Sequence, residues 1–221
     1  MNALRLLLVR HGQTPYNRDL KWHDQSDIGL TDLGLNHAKA IAEALKNERP
    51  VAIYSSPLKR SLLTAYAISS CHNVKVSEQA RLSEIDAGEL GGLTYEEIAK
   101  KFPDFFRTWE SDPVNTAPPS GETMTRLQSR CWSAIEEIVA AHREGTVIVV
   151  SHSFSIAAII CKAINLPLAS FQNLNVQLAS ISELLIHDLT AEEALQNPTW
   201  RKSAILSRLN DTHHLNGLKA K

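Results

Sequence analysis

The sequence predicts an α/β fold, a three-layer sandwich with a mainly parallel sheet, helices on both faces and an antiparallel addition at one edge. Three observations carry that expectation. Short apolar runs recur at 4–9, 51–54 and 146–150, and each leads on to a stretch with helical spacing. Those stretches place apolar residues three and four apart, the pattern of amphipathic helices covering a sheet. Late in the chain, 179–186 and 204–209 alternate in the manner of strands, which suits the antiparallel edge.

Taken in order, 4–9 reads as a buried strand that delivers Arg10-His11-Gly12-Gln13-Thr14 to the carboxyl edge of the sheet, where α/β proteins bind ligands. Thr31 can cap a helix with Ala38, Ile41, Ala42 and Leu45 on one face, and Glu48-Arg49-Pro50 ends it before the strand 51–54. Ser56 is expected to cap the next helix, 57–69, with Pro57 in its first turn and Leu58, Leu62, Ala65 and Tyr66 inward. Arg60 then sits one turn in, facing the strand ends. A short strand follows at 74–76, and Thr94 with Glu97 forms a capping box for a brief helix ending near Lys101. Met124, Leu127, Cys131, Ile135 and Ile138 trace a longer helix into the strand 146–150, which runs into Ser151-His152 and a helix-like stretch at 155–164.

The chain of 221 residues fits one domain, 1–221, with no linker-like segment. Within it, about 88–121 has a different composition, with Tyr95, Phe102, Phe105, Phe106, Trp109 and several prolines. This reads as a lid-like insertion over the pocket, or as aromatics packing a satellite core. Trp22 and Phe154 lie beside the strand-end residues and are better placed for substrate contact. The 23 basic residues nearly balance the 24 acidic ones and are interspersed with them, so neither nucleic acid nor a membrane surface is an expected partner. Three widely spaced cysteines, Cys71, Cys131 and Cys161, read as reduced core thiols. No apolar segment reaches spanning length, and the expected location is cytoplasmic. His37, His72, His142, His187 and the pair His213-His214 have no metal-ligand spacing, and neither metal nor cofactor is expected.

Two strands thus end in histidine, and a third runs into an arginine-bearing helix. Arg10 offers a planar fork of donors suited to phosphate oxygens, His11 a nucleophilic nitrogen near neutral pH, and Gly12 close backbone approach to an anion. Each feature alone also reads as a turn, a helix cap, a surface arginine or a core histidine. Their coincidence at one sheet edge favours a shared site.

With these residues in view the sequence resembles the histidine phosphatase superfamily, also called phosphoglycerate mutase-like. The resemblance rests on Leu8-Val9-Arg10-His11-Gly12-Gln13-Thr14 with Asn17, on Asp27 with Leu30-Thr31 and Gly34, and on Ser55-Ser56-Pro57-Leu58-Lys59-Arg60 with Thr64-Ala65. Leu82 with Glu84 and Gly88, Pro119-Ser120-Gly121-Glu122-Thr123 and Ser151-His152 extend it over nearly the whole chain. It implies a phosphoglycerate mutase-like fold and a phosphohistidine intermediate on His11. It further implies a phosphate pocket of Arg10, Arg60, His152 and Asn17, and an acid/base at Glu84.

Two departures bear on substrate. Asp24 and Ser153 stand where the family commonly has glycine. Ser153 keeps a backbone N–H for phosphate, whereas Asp24 is expected to bring a carboxylate near the substrate, with His23 to offset it. Ala87 replaces the tyrosine typical of the mutase branch. The leading reading is a phosphomonoester hydrolase acting on a small phosphorylated metabolite. A phosphoglycerate-type mutase and a catalytically weak regulatory protein are the alternatives, and a homodimer is an allowed assembly.

Overall fold

The computed structural model describes residues 3–188 and 202–218. Along them run β1 (Leu4–Arg10), α1 (Pro15–Arg18), α2 (Asp32–Leu45), β2 (Pro50–Ser55), α3 (Lys59–Ser69) and β3 (Val76–Glu78). Then follow α4 (Tyr95–Lys101), α5 (Pro103–Ser111), α6 (Met124–Ala141), β4 (Gly145–Ser151), α7 (Ser153–Ala163), β5 (Ile181–Asp188) and β6 (Lys202–Asp211). One sheet holds the six strands in the order β3-β2-β4-β1-β5-β6. The first four are parallel to one another, β5 pairs antiparallel with β1 and β6 antiparallel with β5, so the antiparallel edge is the one the sequence predicts.

Alternation along the central strands separates the two faces. Leu4, Leu6, Leu8, Val147 and Val149 pack on one side with Leu127, Cys131 and Ile135 of α6 and Ile156 and Ile160 of α7. Leu7, Val9, Ile148 and Val150 pack on the other with Ile41 and Leu45 of α2 and Ala65 and Ile68 of α3. Because β1 is covered on both faces it must be apolar at nearly every position, which is why 4–9 lacks a period of two.

Register decides where the chemistry sits. β1 and β4 pair residue for residue from Leu4 opposite Gly145 to Arg10 opposite Ser151, so both strands end at the same level. The next peptide continues the ladder, with the His11 N–H donating to the Ser151 carbonyl at 3.2 Å. Gly12 then passes under the start of α2, where a Cβ would lie 2.4 Å from the Gly34 carbonyl oxygen, so glycine alone permits this approach.

Some boundaries move. α3 starts at Lys59 rather than at 57, with Leu58 in the cap position and no side-chain cap bond. The Ser56 hydroxyl still accepts from the Leu58 N–H at 3.3 Å, ahead of the first turn, and also meets His152 Nε2 at 2.8 Å. The buried face of α3 is Arg60, Ser61, Thr64, Ala65 and Ile68, whereas Tyr66, expected inward, is 52% exposed. The helix thus turns a polar edge toward the strand ends. β3 lies at 76–78 instead of 74–76, and α7 begins at Ser153, two residues earlier than expected. Cys131 and Cys161 are buried thiols as expected, whereas Cys71, just past the end of α3, is exposed. Of the aromatic segment, Phe105 and Trp109 join the main core with Trp22, and Trp22 lies edge-on to both.

Candidate active site

The carboxyl ends of β1, β2 and β4 converge on two histidines whose ring centroids lie 5.1 Å apart, His11 and His152, both buried. His11 Nδ1 is 2.7 Å from the Gly12 carbonyl oxygen. A carbonyl only accepts, so Nδ1 carries the proton and Nε2 keeps its lone pair. Burial holds the His11 pKa well below the ordinary histidine range, and Arg60, Arg10 and His23 push it the same way. The ring is therefore a neutral base and nucleophile.

Arg60 is fully buried and fixed on three sides. Its Nη1 donates to the Ser26 carbonyl at 2.9 Å, its Nη2 to the Asp24 carbonyl at 2.8 Å, and its Nε to His152 Nδ1 at 3.2 Å. Guanidinium only donates, so His152 carries its proton on Nε2, which reaches Ser56 Oγ at 2.8 Å. Burial, then Arg60, keep His152 neutral too. Both of its nitrogens are thus engaged with protein partners, and it orients the Arg60 fork.

Arg10 anchors through Nη1 on the Val176 carbonyl at 2.6 Å, while its Nε is buried without a hydrogen-bond partner among the described residues. Burial pushes its pKa down to about 10, with Glu84 opposing and Arg60 adding repulsion. A buried cationic donor without an acceptor is costly, and an anionic ligand would supply the missing one.

Glu84, on the loop after β3, is buried against the start of α7. Its Oε1 accepts from the Ile85 N–H at 3.0 Å and the Ser155 hydroxyl at 3.4 Å, and its Oε2 from the Ser153 hydroxyl at 3.3 Å. Ser153, one of the two glycine replacements, thus holds the carboxylate that the resemblance singles out.

Asn17 closes a capping box with Thr14 at the start of its own short helix, its Oδ1 accepting from the Thr14 N–H and hydroxyl at 3.0 Å each. His23 Nε2 lies 2.7 Å from that hydroxyl, and burial, then Arg60 and Arg10, push its pKa down to about 3. Asp24 is the residue whose side chain goes elsewhere. Its Oδ1 accepts from the Ser26 N–H at 2.9 Å, and its Oδ2 packs where a Gly91 side chain would be. The carboxylate closes a local turn, and Asp24 serves the site through its backbone carbonyl on Arg60 and, at a distance, through its charge, which opposes the lowering of the Arg60 pKa by burial.

A cavity of about 660 Å³ opens over these groups, lined inside by Arg10, Asn17, His23, Glu84 and Ser153. Farther out Tyr16, Leu20, Lys21, Trp22, Tyr95 and Phe154 form its walls. Sequence reasoning missed Ser56, Ser61 and Thr64 as buried supports, although Ser56 and Thr64 lie within motifs it quoted. It also missed Lys21 and Tyr16, which had no signal beyond nearness to Asn17. Among the described residues no helix is long and apolar enough to cross a membrane.

A profile of the histidine phosphatase superfamily (branch 1) matches residues 6–198. The chain is 34% identical over 212 residues to phosphoserine phosphatase 1 of Hydrogenobacter thermophilus, covering 96% of this chain and 94% of that protein. It is 40% identical over 157 residues to the metal-independent phosphoserine phosphatase of Arabidopsis thaliana, covering 70% and 66%. Among solved structures, the native mycobacterial glucosyl-3-phosphoglycerate phosphatase superposes with a TM-score of 0.83 at 30% identity, covering 95% of this chain and all of that one.

Proposed function

The chain belongs to the histidine phosphatase superfamily, branch 1, and from that premise we propose that it hydrolyses small phosphomonoesters through a phosphoryl group carried on His11 Nε2. The observation that carries the reading is the His11 tautomer: Nδ1–H is committed to the Gly12 carbonyl, which leaves Nε2 as the attacking atom. Arg10 and Arg60 hold the phosphoryl oxygens, where negative charge spreads in the transition state, and Asn17 and the Ser153 N–H complete the cradle. His152 fixes Arg60.

In the first half-reaction Nε2 bonds to phosphorus as the ester P–O bond breaks, and the Glu84 carboxyl gives its proton to the leaving oxygen. In the second, water attacks phosphorus, its proton passes to the Glu84 carboxylate, and the N–P bond breaks to release phosphate and neutral His11. With two buried arginines on the phosphoryl group, this chemistry needs no divalent ion. Lys21, the basic group of an outer wall that also carries Asp19 and Glu96, suits a carboxylate on the leaving group. The aromatic walls and volume suit a phosphorylated hydroxy acid, free or carrying a sugar. Phosphoserine and glucosyl-3-phosphoglycerate, named in the relatives, are both of this class. Tyr95 on α4, within the lid-like segment 88–121, closes the outer cavity over such a group. Three free thiols support a reducing, cytoplasmic setting.

The test is phosphate release from phosphoserine, glucosyl-3-phosphoglycerate and p-nitrophenyl phosphate in excess EDTA, beside His11→Ala. Release from at least one phosphorylated acid, lost in the variant, is expected. Activity that requires added Mg²⁺, or isomerisation of phosphoglycerate without net phosphate release, would overturn the reading.

A further inference from the structure

One motif of the sequence, Pro119 to Thr123, touches neither the phosphate end nor the outer wall. Its glutamate instead closes a buried clamp on the loop that bears Glu84. The Arg130 guanidinium, on α6, donates to three successive parts of that loop: the carbonyls of Arg81 at 2.8 Å, Ser83 at 2.7 Å and Glu84 at 2.8 Å. Its Nε lies 3.1 and 3.2 Å from the two Glu122 carboxylate oxygens, and its Nη2 also bonds Glu122 Oε1. Glu122 in turn accepts from the Asp86 N–H at 3.0 Å, while its own N–H donates to the Asp86 carbonyl at 2.9 Å.

The backbone around this pair leaves no slack. Gly88 has φ +49°, and a Cβ on it would sit 2.0 Å from the Pro119 carbonyl oxygen. A Cβ on Gly121 would sit 2.4 Å from the Asp86 carbonyl oxygen. The two loops therefore meet backbone on backbone, and Arg130 ties both to α6, whose neighbours Leu127 and Cys131 are core residues. The far side of Glu84 is set separately, by the Ser153 and Ser155 hydroxyls at the start of α7.

We propose that Arg130 and Glu122 are positioning residues for proton transfer by Glu84: they fix the loop 81–86 so that the carboxyl is held at the depth of the leaving oxygen. The proposal rests on the reading of Glu84 as acid and base. Neither side chain touches substrate. A carboxyl displaced by an ångström loses general acid catalysis, while His11, Arg10 and Arg60 keep anchors outside this loop, on Gly12, Val176, Asp24 and Ser26.

Leaving-group dependence separates positioning from mere support. An alkyl ester needs protonation of its leaving oxygen, whereas p-nitrophenolate departs with little help. In single-turnover measurements of the first half-reaction, Glu122→Gln and Arg130→Lys should each slow an alkyl phosphate about tenfold or more, and p-nitrophenyl phosphate within about threefold. Rates are taken per folded protein by circular dichroism and thermal melt. Should Arg130→Lys not fold, Glu122→Gln, which keeps the side-chain shape and an acceptor for the Asp86 N–H, carries the test. Equal losses on both esters would make the clamp structural only, and no loss on either would show that Glu84 finds its place without it. Glu84→Gln runs beside them. If that control loses selectively on alkyl esters while the clamp variants do not, the clamp proposal fails and the acid stands. If the control loses both equally, the acid assignment fails and the clamp proposal with it.

Discussion

The two ends of the cavity are built on different principles. At the inner end the phosphoryl-facing His11, Arg10 and Arg60 hang from a strand end or the first turn of a helix, and each is tied to backbone: His11 to Gly12, Arg10 to Val176, Arg60 to Asp24 and Ser26. At the outer end the walls come largely from the connection after α1 and the start of α4, joined through the Trp22 N–H on the Leu93 carbonyl at 2.8 Å and the Gly92 N–H on the Trp22 carbonyl at 2.9 Å. There Leu20 is 77% exposed in a left-handed conformation at φ 53°, and Tyr95 is 54% exposed. An exposed leucine held at positive φ costs backbone strain without repaying it in burial. Under the proposed function, the inner end is fixed for one chemical group, the phosphoryl, while the outer end sets what that group is attached to.

The largest effects should follow from breaking the inner end. Arg60→Ala removes the donor on the phosphoryl oxygens and strands the Asp24 and Ser26 carbonyls and His152 Nδ1. It should cost about 2–4 kcal/mol of transition-state stabilisation, read as kcat/KM, together with a fall in Tm. Arg10→Ala should cost similar activity with less stability, since only the Val176 carbonyl loses a partner. Near-normal kcat/KM in either would take that arginine off the phosphoryl group.

Acid should reach the inner end before the outer one. His11, His152 and His23 all have folded pKa values below the ordinary 6.5, His23 at about 3, chiefly through burial. The unfolded chain therefore binds more protons as pH falls, so stability is complete above about 6.5 and declines progressively toward about 3. Thermal melts across that range should show Tm falling from near pH 6.5, earlier than carboxylates alone would give. His23→Asn should flatten part of the slope. A Tm constant down to about pH 4.5 would mean that the rings accept protons in place.

Outer changes should move specificity rather than rate. Lys21→Met should raise KM for a phosphorylated acid about two- to fivefold, the worth of a part-exposed ion pair of up to about 1 kcal/mol, and leave p-nitrophenyl phosphate nearly unchanged. Equal effects on both would remove the carboxylate contact. Asp24→Asn should do least of all, because the side chain serves the Ser26 turn and not the cavity. A substrate range broadened by that change would put the carboxylate back at the pocket mouth.

The inner end was legible in the sequence because its signals are local. An apolar run ending in His11 and another ending in His152 declare two strand ends, and parallel pairing with no crossover offset does the rest. What escaped depends on distant partners. Ser56 makes the local bond expected of a cap, to the Leu58 N–H, yet its hydroxyl also meets a ring 96 residues away, which no local pattern shows. Asp24 turned from the pocket because Ser26 offers an N–H and Gly91 leaves room, neither of which a strand-and-helix reading weighs. Arg130 looked like one more polar position on an amphipathic helix. Its meaning comes from three carbonyls of a loop 46 to 49 residues earlier. The aromatics of 88–121 divided, Phe105 and Trp109 to the core and Tyr95 to the cavity wall, a split that composition does not encode.

In the proposed reaction the phosphoryl group travels on His11 Nε2. That transfer is tested most directly by mixing Glu84→Gln, in which attack by water is slowed, with p-nitrophenyl phosphate, quenching in alkali where phosphohistidine survives, and locating the added mass by peptide sequencing. A burst of p-nitrophenolate matched by one phosphoryl group per chain, on His11, is expected, and neither burst nor added mass when His11→Ala is combined with it. A phosphoryl group on another residue, or turnover with no phosphoenzyme and no burst, would contradict transfer through His11.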